Sequence, residues 1–196
     1  MRIEPITRSA FILRSAVALA GACGATAVGP FVGRALAQGN DVEIVQFALM
    51  LEFLEAEFYT RALEEVSLEG DAAELTGVLR DHETQHVVTL SELIEKMGGT
   101  PLDKPRFDFG DAYASTESYL RRSNLLEDTG VSAYNGAAPL IQDPAVLAAA
   151  GRIVQVEARH AALVRLLRDK PPAPNAFDVA STEAEVREAV APFIGK

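Results

Sequence analysis

The chain has 196 residues, 48% of them hydrophobic and 23% charged, enough for one domain with a substantial core. Its 28 acidic against 18 basic residues give a formal net charge of −10, which argues against nucleic acid and anionic membranes as partners and favours cations. The one cysteine, Cys23, excludes an internal disulfide, and residues 38–196 hold no thiol to ligate a metal or act as nucleophile.

Residues 1–37 read as an export signal peptide. Arg2, Arg8 and Arg14 precede a weakly apolar stretch, Ser15 to Val32, rich in Ala and Gly. Ala35-Leu36-Ala37 then offers small residues at the −3 and −1 positions of a signal-peptidase site, with Gln38 as the mature start. As an uncleaved anchor the stretch is poor, because Gly21, Gly24, Gly29, Pro30 and Gly33 weaken a spanning helix and Arg34 interrupts it. No stable membrane anchor is expected after cleavage. Thr7-Arg8-Ser9-Ala10-Phe11-Ile12 is similar to a twin-arginine export signal with Ser9 in place of the second arginine, so the general secretory route stays open. The expected location is periplasmic or secreted. The leader carries four Arg against Glu4, and removing its +3 leaves the remainder near −13.

Residues 38–170 predict four helices. Asp41 to about Glu69 repeats apolar residues at helical spacing, and Gly70 stops it. Asp71, with Glu74 three residues on, predicts a capped second helix to Met97, ended by Gly98-Gly99-Thr100-Pro101. So short a break makes the first two helices an antiparallel hairpin. The stretch Gly98 to Asp111 has no periodicity, yet when extended it can run roughly 45 Å, longer than a 25-residue helix of about 37 Å. It can therefore cross the bundle and set the third helix, Ala112 to near Ala133, parallel to the second. Asn135-Gly136 marks that helix's end, and Asp143 with Pro144 starts a fourth reaching about Arg168. Pro171-Pro172-Ala173-Pro174 forbids continuation, so 171–196 is expected to be an extended tail packed on the bundle, with a short helix capped by Thr182 and Glu185. The class is all-α: a four-helix bundle, up-down-down-up, with a long crossover between helices 2 and 3.

Two of the three histidines follow a glutamate by three residues, as Glu83-Thr84-Gln85-His86 and Glu157-Ala158-Arg159-His160. On a helix i and i+3 share a face, so each pair can offer an oxygen and a nitrogen to one metal ion. Glu52 precedes Glu83 by 31 residues and Glu127 precedes Glu157 by 30, while Tyr59 and Tyr134 each lie seven residues after Glu52 and Glu127. Each half of the chain thus repeats one pattern, the arrangement of a dinuclear carboxylate site in a bundle. Val146, Ile153, Val164 and Leu167 flank the fourth-helix pair, and Leu75, Leu79, Leu90 and Leu93 the second-helix pair. Four buried carboxylates facing one another require neutralisation by cations or protons. The candidate metal ligands are Glu52, Glu83, His86, Glu127, Glu157 and His160. Glu83 and Glu127, or their mates, would bridge.

Rivals stay open at this point. Glu55 shares the face of Glu52, although its counterpart in the repeat is Gly130; Glu117 competes with Glu127 but breaks the spacing. His82 points about 100° away from Glu83 and reads as a surface residue or as a brace on a ligand. Tyr59 and Tyr134 are either plain core tyrosines or partners of a ligating carboxylate.

These residues resemble the ferritin-like superfamily over Asp41 to Arg168. The strings from Leu51 to Tyr59, Glu127 to Val131, Ala133 to Gly136 and Val156 to Ala162 are similar to exported bacterial ferritin-like domain proteins. The resemblance implies the up-down-down-up bundle and a centre of two Fe or Mn ions on the six residues above. It does not imply a reaction. The leading expectation is redox chemistry with O2 or peroxide (H2O2) in the bacterial envelope. Iron storage, or a non-catalytic desiccation-type stress role, is the alternative.

Overall fold

The computed structural model describes residues 30–195, with side chains from residue 40. The expected leader, 1–37, lies outside the described residues except for 30–37, which is helical backbone. One compact unit begins at Ala35, and the fold below belongs to it. The described helices are α1 Pro30–Glu65, which enters that unit at Ala35, α2 Gly70–Lys96, α3 Thr116–Ala137, α4 Pro144–Leu167 and α5 Glu183–Val190, with 3-10 turns at Ala138–Leu140 and Ala191–Phe193. No strand occurs among the described residues; a lone antiparallel bridge joins Phe107 to Ile194. None of the described helices is long and apolar enough to cross a membrane.

Several helix ends differ from the sequence expectation, each for a local reason. α1 starts at Pro30 rather than Asp41 and stops at Glu65 rather than near Glu69. Gly70 at φ +53° turns the chain into α2, so it acts as a hinge rather than a terminator. The expected cap at Asp71 does not form, because the N-cap position falls on Glu69, whose side chain makes no capping bond. Asp71 remains in the first turn, where a negative charge suits the helix dipole. α3 begins at Thr116, not Ala112, through a Ser115–Ser118 capping box. Ala112 is held in a turn below it, donating to Phe109 O at 3.0 Å. α3 also runs through Asn135-Gly136 instead of ending there. A Cβ on Gly136 would lie 1.8 Å from Ser181 O, so this glycine permits a close backbone approach and is not a stop signal. The start of α4 matches its reading, with Asp143 accepting from Ala145 N at 2.7 Å and Pro144 at the first position.

Four tie points fix which helix ends adjoin. Gln46, early in α1, bonds Thr100 O at 2.6 Å and accepts from Leu102 N at 2.9 Å, just past the end of α2. Thr76, early in α2, meets Tyr119, early in α3, at 2.7 Å. Asp41, near the start of the described side chains, accepts from Gln142 N at 3.0 Å and Asp143 N at 2.7 Å, where α4 begins. Arg165 and Arg168, at the end of α4, bond Asp128 and Asn124 near the middle of α3. Between α2 and α3 the crossover climbs from the level of Gln46 to that of Phe58, whose carbonyl accepts from Tyr113 at 3.0 Å.

The interior has two apolar clusters. One gathers Leu54, Phe58, Leu79, Tyr119, Leu126 and Val164, and the other Val45, Leu49, Leu90, Ile94, Val146 and Ile153. Along α2 and α4 the clusters lie on either side of the Glu-x-x-His pairs, so a buried polar layer crosses the bundle between them. The C-terminal segment closes the first cluster by burying Val186, Val190 and Phe193.

Two glycines give opposite expectations. Gly136→Ala should destabilise by about 1–3 kcal/mol, because backbone must move. Gly151→Ala, with nothing within 4 Å of the new Cβ, should be neutral or stabilise by up to about 1 kcal/mol. Urea unfolding of the two variants checks both signs.

Candidate metal centre

Helical periodicity delivers the polar layer. α2 buries Leu79, Glu83, His86 and Leu90 on one face, and α4 buries Ile153, Glu157, His160 and Val164. Glu52 from α1 and Glu127 from α3 enter from the other two helices. All six predicted residues are buried, and the four glutamates are at most 1% exposed.

Their atoms converge in an ordered way. His86 Nδ1 lies 2.9 Å from Glu83 Oε2, 3.0 Å from Glu157 Oε1 and 3.2 Å from Glu52 Oε2. His160 Nδ1 lies 2.9 Å from Glu83 Oε1, 3.5 Å from Glu127 Oε2 and 3.9 Å from Glu157 Oε2. Glu83 and Glu157 therefore each turn one oxygen to each imidazole, whereas Glu52 serves only His86 and Glu127 only His160. Two sets follow, Glu52, Glu83, His86 and Glu157 on one side and Glu83, Glu127, Glu157 and His160 on the other. Within each set one ligand atom per residue lies within 4.8 Å of the rest.

The tyrosines exchange halves. Tyr59 of α1 donates to Glu127 of α3, and Tyr134 of α3 donates to Glu52 of α1. Each holds Oε1 of its carboxylate, leaving Oε2 toward an imidazole. Ser123, one helical turn before Glu127, meets Tyr59 OH at 2.9 Å; sequence reading missed it, although its i, i+4 relation to Glu127 was a usable signal. His82 is exposed, but its Nδ1 lies 2.9 Å from His160 Nε2, so it braces the imidazole from outside. Glu117 is exposed and takes no part. Glu55 is buried beside the layer yet belongs to neither set. A Cβ on Gly130 would make ordinary contact with Glu55 Oε1 and Glu157 Oε2, each at 3.5 Å, so a side chain longer than a methyl would press on this fifth carboxylate.

Electrostatics sets most of these carboxylates above their usual range and both imidazoles above theirs. Burial pushes Glu52 up to about 7 against the pull of His86, and the charge of Glu83 adds to the rise. Burial drives Glu55 and Glu157 well above the carboxylate range, with repulsion from neighbouring glutamates adding to it. Glu127 rises for the same first reason, opposed by His160. Glu83 goes the other way: burial raises it, but the His160 and His86 rings hold it down to about 2. Burial depresses both imidazoles and is outweighed, chiefly by Glu157 and Glu52 at His86, which reaches about 12, and by Glu127 and Glu83 at His160, which reaches about 10.

The hydrogen bonds within the cluster leave several of its polar atoms without a partner. A ring nitrogen carries at most one hydrogen, so His86 Nδ1 cannot bond all three oxygens around it. Glu83 Oε1, Glu127 Oε2, both oxygens of Glu157 and His160 Nδ1 are buried without an aligned hydrogen-bond partner, although Glu83 Oε1 and His160 Nδ1 lie only 2.9 Å apart. Orphaned polar atoms of this kind are rare in protein interiors. Hard carboxylate oxygens and imidazole nitrogen are the donors that iron and manganese accept, so the residues fit such ions.

Residues 40–170, which contain all six groups, match the family described as a ferritin-like domain. The chain belongs to the ferritin-like domain family. No curated protein matches it. In this ferritin-like domain the buried carboxylate and histidine groups could hold a metal ion, which fits a metal-binding bundle.

The shifts give the metal-free protein a pH dependence. Glu52, raised from 4.5 to about 7, contributes stability that is complete below 4.5 and lost as pH rises through 7. His86 and His160, raised from 6.5, contribute stability that is complete below 6.5 and declines above it. Glu83 has the opposite sign, but its contribution is complete above 4.5 and constant in this window. The melting temperature of metal-free protein should therefore fall steadily from pH 5 to 9. Glu52→Gln should flatten the part between 5 and 7, as thermal scans in matched buffers will show.

Proposed function

We propose that this ferritin-like domain holds two iron or manganese ions and performs redox chemistry with O2 or peroxide in the bacterial envelope. The observation that carries the reading is the shared geometry of Glu83 and Glu157, each with one oxygen toward each imidazole. Glu52, Glu83, His86 and Glu157 would hold one ion, and Glu83, Glu127, Glu157 and His160 the other. Glu83 and Glu157, rather than the Glu83 and Glu127 expected from sequence, would then be shared between the two ions, with Glu52 and Glu127 each serving one. Two divalent ions would offset four carboxylates, three of which burial first, and repulsion among them second, now holds above their usual range.

Such ions, when bound, supply the electron exchange with O2 or peroxide; nitrogen-plus-carboxylate ligation makes iron the first choice and manganese the second. The chain's own residues do the rest. Tyr59 and Tyr134 fix the rotation of Glu127 and Glu52 through one oxygen each. His82 occupies Nε2 of His160, leaving Nδ1 for the ion. The apolar clusters on either side exclude bulk water. The tie points between helix ends support the up-down-down-up arrangement, and the export pattern in 1–37 supports an envelope location.

Elemental analysis tests the metal directly. About two equivalents of Fe plus Mn per chain are expected, and less than one after reconstitution would end the reading. The Glu83→Ala/Glu157→Ala variant should lose metal together with the rise in melting temperature that metal confers on the parent. It should also lose ferrous oxidation or peroxide consumption. Equal rates in parent and variant would instead support the non-catalytic stress role.

A further inference from the structure

The two halves of the bundle are filled differently. A shift of 75 positions maps Glu52 onto Glu127 and Tyr59 onto Tyr134, and the same shift maps Phe58 onto Ala133 and Ala48 onto Ser123. Around Tyr59 the space is closed: Phe58 packs on it with ring centroids 5.3 Å apart, Tyr119 lies at 6.4 Å, and Ser123 bonds its hydroxyl. Around Tyr134 the corresponding side chains are Ala133 and Ala48, and there the structure has an open cavity of about 350 Å³. Both alanines line it, with Leu51, Val146, Ala150 and Tyr134. Tyr134 is the wall between this space and the polar layer, since its hydroxyl reaches Glu52.

The cavity has the size of a small-molecule site, roughly 300–1,000 Å³. Its chemistry narrows the occupant. Among the described residues no Lys, Arg or His lines it, and the one charged lining residue is Glu183, so anions are disfavoured. Polar contacts are limited to groups such as Asn135 and Thr182 near the C-terminal segment. The geometry points to this cavity as the binding site for a small, neutral, mainly apolar molecule carrying at most a hydroxyl or carbonyl, seated against Tyr134. Its role as substrate or reductant of the centre rests on the metal reading above. Binding itself does not.

N-phenyl-1-naphthylamine, a neutral fluorescent probe, tests this on the full chain, with metal content measured on the same samples. Saturable binding of one probe per chain is expected, displaced by 1-decanol and not by decanoate at equal concentration. Ala48→Phe fills the cavity and should weaken the probe by about tenfold or more with metal content unchanged. Should that variant fail to fold, Ala180→Trp, an exposed residue at the mouth, should weaken binding without touching the core. No saturable binding, binding indifferent to both substitutions, or equal displacement by decanoate would overturn the assignment. Self-association that excludes the probe as protein concentration rises would overturn it in favour of a second copy of the chain. Probe binding to protein that takes up no metal would uphold the cavity and sink only the metal reading.

Discussion

Four carboxylates and two imidazoles share one buried layer, and a fifth carboxylate, Glu55, stands beside them. An unpartnered buried charge costs several kcal/mol, so such a layer persists only where surrounding packing holds it and where charges offset one another. The two imidazoles supply part of that offset by holding Glu83 ionised. The remainder falls to protons or to bound cations. This requirement explains why the apolar clusters lie on either side of the layer rather than through it. Each helix has to turn its polar pair inward at the same level, and the flanking leucines, valines and isoleucines set that rotation.

The segments outside the four long helices secure the same rotation. Phe109 and Tyr113 of the crossover pack on Phe58 at 5.2 and 5.5 Å between centroids, and Tyr119 stacks on it at 5.5 Å. Phe193 from the C-terminus lies 6.2 Å from Phe109, and the Arg187 guanidinium sits 4.3 Å above the Phe47 ring. Asp108 N donates to Phe193 O at 2.9 Å and Gly195 N to Arg106 O at 2.8 Å, tying crossover and tail together by backbone. Phe47 and Phe58 belong to the helix that carries Glu52, so these contacts also position the site.

The near-symmetry of the centre is broken in few places, and each break has a local consequence. His82 stands one residue before Glu83, where Val156 stands one before Glu157, so only His160 gains an outer imidazole partner. Glu55 faces Gly130, where a side chain longer than a methyl would press on this carboxylate. Ala133 and Ala48 stand where the other half has Phe58 and Ser123, and space opens beside Tyr134. Two similar halves thus place two inequivalent surroundings around one cluster.

Helical class, number of long helices and the identity of the six converging residues were legible from spacing, because the 3.6-residue period and a 30-residue repeat are properties of the letters. The capping of α4 was equally plain, since Asp143 acts within two residues of itself. Pairing across helices was not. That Tyr59 holds Glu127 and Tyr134 holds Glu52, that Glu83 and Glu157 face both imidazoles, and that Gly136 admits the backbone of Ser181 depend on distances between segments far apart in the chain. Periodicity states which way a side chain faces around its own helix. Which partner it meets is set by how four helices pack, and that is decided by volumes summed over the whole interior.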